Sequence, residues 1–226
     1  MKFVRPRRSV LFMPGANARA LEKARGLPAD ALIFDLEDAV APGEKEAARQ
    51  QVIKTIKTGG YGHRELIVRV NGLTTPWGED DVREIALSGA DAILLPKVEN
   101  KQIIDWIERR LHAVGAPDAM SIWCMIETPK GVLRAEEIAS ASPRLDVLVM
   151  GTSDLAKDLH CLHTPTRAPF MTSLSWCILA ARANGLSILD GVHLDLADDA
   201  GLVEVCQQGR EMGFDGKTLI HPKTIA

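Results

Sequence analysis

ALIFDLEDAV, residues 31–40, passes without a break from an apolar run into three carboxylates. Ala31, Leu32, Ile33, Phe34 and Leu36 suit a strand buried on both faces. Asp35, Glu37 and Asp38 cannot be buried together without a cation or hydrogen-bond donors. A strand that ends in charge points at a site, and the pattern recurs along the chain. ELIVRVNG ends in Arg69 and Asn71, AILLPKVE in Lys97 and Glu99, SIWCMIETP in Glu127, and DVLVMGTSDL in Asp154. Apolar strands that deliver polar groups at their C-terminal ends are how a parallel α/β barrel builds an active site, so the expected fold class is α/β, a (β/α)8 TIM barrel.

The flanking sequence fits that expectation. A first strand over residues 9–13 is closed by Pro14 and Gly15, and Asn17 is the expected N-cap of a helix that stops at Gly26. After the opening stretch a helix is expected over 44–57, where Ala48, Val52 and Ile56 recur at i, i+4 and i+8, with Gly59 and Gly60 as its stop. Strands are expected over 65–70, 92–95, 121–126, 146–150, 187–189 and 217–220. Helices are expected up to about Ser88, through Ile103, Ile104, Ile107 and Leu111, over 131–139, from Pro169 to Asn184 and over 198–212. The connection after Asp154, through His160, Cys161 and His163, reads as a long loop of the kind that often forms a lid. Eight strands and seven helices result, and an eighth helix is expected beyond Ala226 to complete the barrel.

With 226 residues and 46% hydrophobic content, one barrel domain over 1–226 is expected. A net charge of -3 gives a broad nucleic-acid-binding face no compositional support, and the Arg5, Arg7 and Arg8 cluster reads as a solvated end. The four cysteines, Cys124, Cys161, Cys177 and Cys206, have no CxxC spacing, which argues against a zinc knuckle or a disulfide framework. No apolar run reaches the roughly 18 residues of a membrane span, and no signal peptide is recognisable, so a cytoplasmic protein without a membrane partner is expected.

Glu127 and Asp154, expected at the ends of adjacent strands, can converge on one hard cation and leave positions for water or substrate, an arrangement that suits Mg²⁺ better than zinc. Arg69 can grip a carboxylate bidentately or pair with Glu37 or Asp38, and both roles are compatible. Asp35, Glu37 and Asp38 can orient Arg69, hold water or act as bases. Pro14, Gly15, Asn17, Arg19 and Lys23 place a tight turn, a helix start and two cations together, a setting suited to phosphate, although on their own Arg19 and Lys23 read better as a charged outer helix face. Lys97 reads as a mouth ion pair rather than a Schiff-base lysine, and Met13, Met125 and Met150 as barrel core. His160, His163 and His193 read as solvated loop residues, and His221 as structural.

RSVLFMPGANARALEKA, DALIFDLEDAV, IVRVNG, AILLPKVE, MIETPKGV, GTSDLAKDL, ILDGV and FDGKTLIHP, in that order and spacing, resemble the citrate lyase β-subunit-like branch of the HpcH/HpaI aldolase family. The resemblance covers almost the whole chain. It implies a homotrimer or hexamer, Mg²⁺ on Glu127 and Asp154, a keto-acid carboxylate on Arg69, and a CoA thioester whose phosphates meet the Arg19 and Lys23 region. Asp38, where simple pyruvate aldolases of the family tend to carry histidine, shifts the expectation toward CoA-ester lyases. Expected activities are therefore Mg²⁺-dependent cleavage of a malyl-, citramalyl- or citryl-CoA type ester to acetyl-CoA and a keto acid, hydrolysis of the same esters, or service as a subunit dependent on an acyl-carrier partner. In several relatives a segment after the eighth strand closes a neighbouring subunit's site.

Overall fold

The computed structural model describes residues 5–225. Eight parallel strands close into a barrel in chain order: β1 (Ser9–Pro14), β2 (Ala31–Asp35), β3 (Glu65–Arg69), β4 (Ala92–Leu95), β5 (Ser121–Ile126), β6 (Leu145–Met150), β7 (Ser187–Asp190) and β8 (Gly216–Leu219). The outer helices are α1 (Ala18–Ala24), α2 (Lys45–Thr58), α3 (Gly78–Ile85), α4 (Lys101–Ala113), α5 (Pro129–Leu133), α6 (Ala135–Ala139), α7 (Thr152–Leu159), α8 (Met171–Ala183) and α9 (Asp199–Met212). None is long and apolar enough to cross a membrane.

The period-2 alternation of a strand sorts the apolar residues into two cores. Leu32, Phe34, Val68, Ile93, Cys124 and Leu148 face outward and pack beneath the helices with residues such as Val52, Ile104 and Ile107. Val10, Ala31, Ile33, Ile67, Leu94, Trp123, Met125, Val147 and Leu189 fill the barrel, so the interior is a packed core and the open space lies above it.

Strand register then decides what stands at the rim. Pro14 pairs with Asp35, Asp35 with Arg69 and Arg69 with Leu94, which places Asp35 and Arg69 side by side on neighbouring strands. Each belongs to the inward-facing set of its strand.

Three sequence expectations are corrected. The Arg5, Arg7 and Arg8 cluster is a solvated end only in part: Arg5 and Arg8 are exposed, as expected, but Arg7 is not. Arg7 is buried at the bottom of the barrel, donating to Glu65 at 2.7 and 2.8 Å and to Asp146 at 2.6 Å, with its guanidinium 5.0 Å from the Trp123 ring. Arg8 grips Asp30 and Arg5 reaches Asp91, so the three together tie the start of the first strand to the bottom ends of several others. The helix expected over 131–139 is two short helices that break at Arg134, where the backbone leaves helical geometry. The connection after β6 begins with α7, so Asp154 lies in a helical first turn rather than at the strand end, and the loop expected after it is confined to residues 160–167. The four cysteines are free thiols, as expected.

Candidate active site

A cavity of about 400 Å³ opens at the C-terminal mouth of the barrel. Asp35, Asp38, Arg69, Glu127 and Asp154 line one part of it, and Phe12, Met125, Met150, Val192, Leu194 and Ile220 supply apolar walls.

Arg69 is the fixed cation of this site. Its Nε donates to Asp35 Oδ1 at 2.7 Å and its Nη2 to Asp35 Oδ2 at 2.6 Å, a two-point pair made possible by the register. Nη1 donates to Asp38 Oδ2 at 3.3 Å, and the guanidinium lies 5.0 Å from the Phe12 ring. Asp35 is itself held by the backbone N–H groups of Glu37 and Ala39 at 2.9 and 3.0 Å. The turn that carries the acidic cluster is therefore wound around one carboxylate, and Lys45 fixes its far side by donating to the carbonyls of Leu36 and Glu37 at 2.9 and 2.6 Å.

Glu37 Oε2 lies 3.0 Å from Arg69 Nη1, outside hydrogen-bonding geometry, and is a buried oxygen without a hydrogen-bond partner among the described residues. Burial pushes the Glu37 carboxyl up to about 7 against the pull of Arg69, and Asp38 and Asp35 push the same way as burial.

Glu127 follows β5 directly and is buried. Its Oε1 accepts the Lys97 backbone N–H at 2.8 Å, and burial raises its carboxyl to about 7. Gly151, between β6 and α7, makes room for it. A Cβ there would stand 2.4 Å from Glu127 Cβ and 2.5 Å from Glu127 Oε2. Asp154 is less buried, and its Oδ2 lies 3.4 Å from Lys97 Nζ, the mouth ion pair expected for that lysine.

The remaining candidates separate into those near the cavity and those away from it. Pro14 lines it, and the Gly15 N–H donates to the Asp35 carbonyl at 2.8 Å, so α1 starts beside the rim with Asn17 as its cap. Arg19 and Lys23 are exposed on α1, outside the cavity lining. Asn71 does not serve the mouth: it donates to Asp81 Oδ2 at 2.6 Å in a buried network that includes Arg49. Glu99 turns outward to Lys130 at 3.0 Å. Met125 and Met150 belong to the two cores yet also line the cavity, and only Met13 is core alone. His221 caps the turn after β8 by accepting the Lys223 N–H at 3.1 Å, a structural role. His160 is exposed at the end of α7, as expected, whereas the His163 ring lies 5.0 Å from that of Phe170, with burial lowering its pKa, and His193 holds a buried Nε2 without a partner among the described residues.

Sequence reasoning missed the apolar wall after β7, Val192 and Leu194, together with Thr218 and Ile220 at the end of β8. These positions lie at or just past the ends of short strands, and that place is the same signal that found the acids.

The HpcH/HpaI aldolase/citrate lyase family description matches residues 8–222. The chain belongs to this family. A (3S)-malyl-CoA thioesterase of Cereibacter sphaeroides (strain KD131 / KCTC 12085) is 54% identical over 220 residues, covering 97% of this chain and 75% of that protein. The citrate lyase subunit beta of Escherichia coli (strain K12) is 38% identical over 226 residues, covering 98% and 75%. Among solved structures, CitE from Mycobacterium tuberculosis in complex with magnesium, acetoacetate and coenzyme A superposes with a TM-score of 0.80 at 29% identity, covering 98% of this chain and 79% of that one. The eight-stranded barrel and the order of its strand-end acids agree with membership of the HpcH/HpaI family, which is a family of enzymes.

Proposed function

We infer that this chain carries out Mg²⁺-dependent carbon–carbon cleavage of a 3-hydroxyacyl-CoA thioester of the malyl, citramalyl or citryl type, giving acetyl-CoA and a keto acid. The observation that carries the reading is the presence of the Arg69 guanidinium and the Glu127 and Asp154 carboxylates in the lining of one cavity at the barrel mouth.

The donor set fits the metal. The carboxylates of the cavity lining have no His or Cys beside them, and oxygen ligands alone suit Mg²⁺ better than zinc. Two carboxylates with room for water and substrate oxygens are a usual protein contribution to Mg²⁺. Glu127 is buried with its Oε1 held by Lys97 and its Oε2 beside the open Cα of Gly151, so a cation would relieve the burial that raises its carboxyl to about 7. Glu127 and Asp154 would hold the ion, which when bound supplies Lewis-acid polarisation of the substrate hydroxyl and carboxylate oxygens, worth several kcal/mol.

The chain's own groups do the rest. A base takes the proton of the substrate's hydroxyl, the carbon–carbon bond breaks to the keto acid, and the thioester half leaves as an enolate that is then protonated to the acetyl group. Arg69, held rigid by Asp35, offers fixed positive charge to the keto-acid carboxylate and to the charge that develops in the transition state. Glu37, with a carboxyl raised to about 7, holds and releases a proton near neutral pH and would relay it together with Asp38. Pro14 and Gly15 lead from the cavity to Arg19 and Lys23, which would meet the CoA phosphates. Support for that assignment is their exposure and their lack of ion pairs among the described residues.

The 54% identity to a (3S)-malyl-CoA thioesterase favours a second reading, hydrolysis of the same ester class. Incubation with Mg²⁺ and each of malyl-CoA, citramalyl-CoA and citryl-CoA, with acetyl-CoA, keto acid and free CoA quantified together, separates the two. Equal acetyl-CoA and keto acid supports cleavage, and free CoA without keto acid supports hydrolysis. No product from any of them overturns both and points to a subunit that requires an acyl-carrier partner, as the resemblance to a citrate lyase subunit allows.

A further inference from the structure

Lys97 touches both carboxylates assigned to the metal, and by two different means. Its backbone N–H donates to Glu127 Oε1 at 2.8 Å, while its ammonium lies 3.4 Å from Asp154 Oδ2. The backbone there is left-handed, with φ +50, a conformation unusual for a lysine and found where surrounding contacts impose it. It occurs directly after β4 and Pro96, at the residue whose N–H meets Glu127.

The ammonium sits in a field of carboxylates. Glu37, Asp154, Glu127 and Asp38 all act on it electrostatically. Arg69 is committed to Asp35 through two hydrogen bonds, whereas the Lys97 side chain is half exposed and, among the described residues, makes a single ion pair on a flexible stem. One of these cations is built in, and the other can leave.

We propose that Lys97 is the resident counter-ion of the metal-free site: its ammonium occupies Asp154 until a divalent cation displaces it, while its N–H keeps Glu127 oriented in both states. The proposal rests on the assignment of Glu127 and Asp154 to the metal. Lys97 compensates the carboxylates when the metal is away, and it competes with the metal when the metal arrives. Removing the ammonium therefore has opposite effects on the two states. The metal-free protein loses a compensating charge and becomes less stable, and the metal binds more tightly. A merely structural lysine would weaken both.

The test is direct binding of Mn²⁺, as a paramagnetic substitute for Mg²⁺, followed by electron paramagnetic resonance on the full chain without substrate, alongside thermal unfolding in EDTA. Lys97→Met removes the charge and keeps the stem. Its expected result is Mn²⁺ binding roughly two- to fivefold tighter than wild type, the range an exposed ion pair supports, with a lower unfolding midpoint in EDTA. Lys97→Arg keeps the charge and is expected to bind Mn²⁺ as wild type does. Lys97→Gly removes the charge and relieves the left-handed backbone, so it reproduces the tighter binding even if Lys97→Met folds poorly. Unchanged or weaker Mn²⁺ binding in Lys97→Met and Lys97→Gly, with wild type binding normally, overturns the counter-ion role and leaves the metal site standing. Wild type that fails to bind Mn²⁺, or Glu127→Gln that binds it as well as wild type does, overturns the metal assignment and the counter-ion role with it.

Discussion

Asp35 and Arg69 are register partners on adjacent strands and form a two-point ion pair at the floor of the mouth cavity, with donor–acceptor distances of 2.7 and 2.6 Å. The pair joins fold to chemistry. Asp35 also accepts two backbone N–H groups from the turn that carries Glu37 and Asp38, so the same carboxylate that aims the guanidinium also shapes the acidic turn. A lysine would supply the charge of Arg69 without the fork that fits Asp35.

Arg69→Lys is accordingly expected to lower kcat/KM by about 100-fold, the order of loss for removing one fixed transition-state donor. It is also expected to cost about 1.5–3 kcal/mol of stability, the worth of one charge-assisted hydrogen bond. Steady-state kinetics with the preferred CoA ester and urea unfolding measure the two effects. Wild-type kinetics in a folded variant would remove Arg69 from the catalytic set.

The metal-free protein should lose stability as pH rises through the mildly acidic range. Glu37 and Glu127 are each raised from an ordinary 4.5 to about 7, chiefly by burial. The folded state thus binds more protons than the unfolded chain between those values, and its stability falls with rising pH. The contribution is fully present below about 4.5 and lost by the time pH passes about 7, on the order of 1–3 kcal/mol for each group once their coupling is discounted. Urea unfolding in EDTA at intervals from pH 5 to 8 measures the slope, and Glu37→Gln should flatten it. A slope of opposite sign would show that these carboxyls are not held protonated by burial.

Much of this architecture is legible in the sequence. Apolar runs that end in charge locate the strands and the acids, and a chain-order barrel places Asp35 beside Arg69 once the strands are known. The parts that stay hidden depend on direction and distance. Arg7 reads as one basic residue near a terminus, and its partners Glu65 and Asp146 lie 58 and 139 residues away on the bottom ends of other strands. The helix α7 carries only Leu155, Ala156 and Leu159 as apolar residues in TSDLAKDL, so its periodicity is too short to separate from a loop. The roles of Asn71 and Glu99 were likewise beyond reading, because residues just past a strand end turn toward either the cavity or the helices.

Gly151→Ala tests how closely Glu127 is packed. An added Cβ would meet Glu127 Cβ at 2.4 Å and Oε2 at 2.5 Å, and the Cβ end of that contact cannot swing away. Gly151 has a negative φ of -101, so the effect comes from crowding rather than from backbone conformation. The expected outcome is about 1–3 kcal/mol of destabilisation, as for other overpacked sites, together with loss of Mn²⁺ binding because Glu127 is displaced. Calorimetric unfolding and metal titration of the same preparation check both. Normal metal affinity in Gly151→Ala would mean that Glu127 is not a ligand in the position seen here.

Arg7→Met should separate stability from activity. Arg7 lies at the end of the barrel opposite the cavity, buried against Glu65, Asp146 and the Trp123 ring. Removing it leaves Glu65, itself buried, without the guanidinium that compensates it, and breaking one side of a buried pair typically costs about 3–5 kcal/mol. Replacing Glu65 by Gln in the same chain removes the uncompensated charge and should recover part of that loss. Since neither residue approaches the mouth, the folded fraction of Arg7→Met should keep the wild-type KM. Urea unfolding of the single and double variants, with kinetics below the unfolding transition, gives the comparison. A raised KM at unchanged fold would mean that the bottom of the barrel communicates with the site through Trp123 and Met125, the neighbouring inward residues of β5.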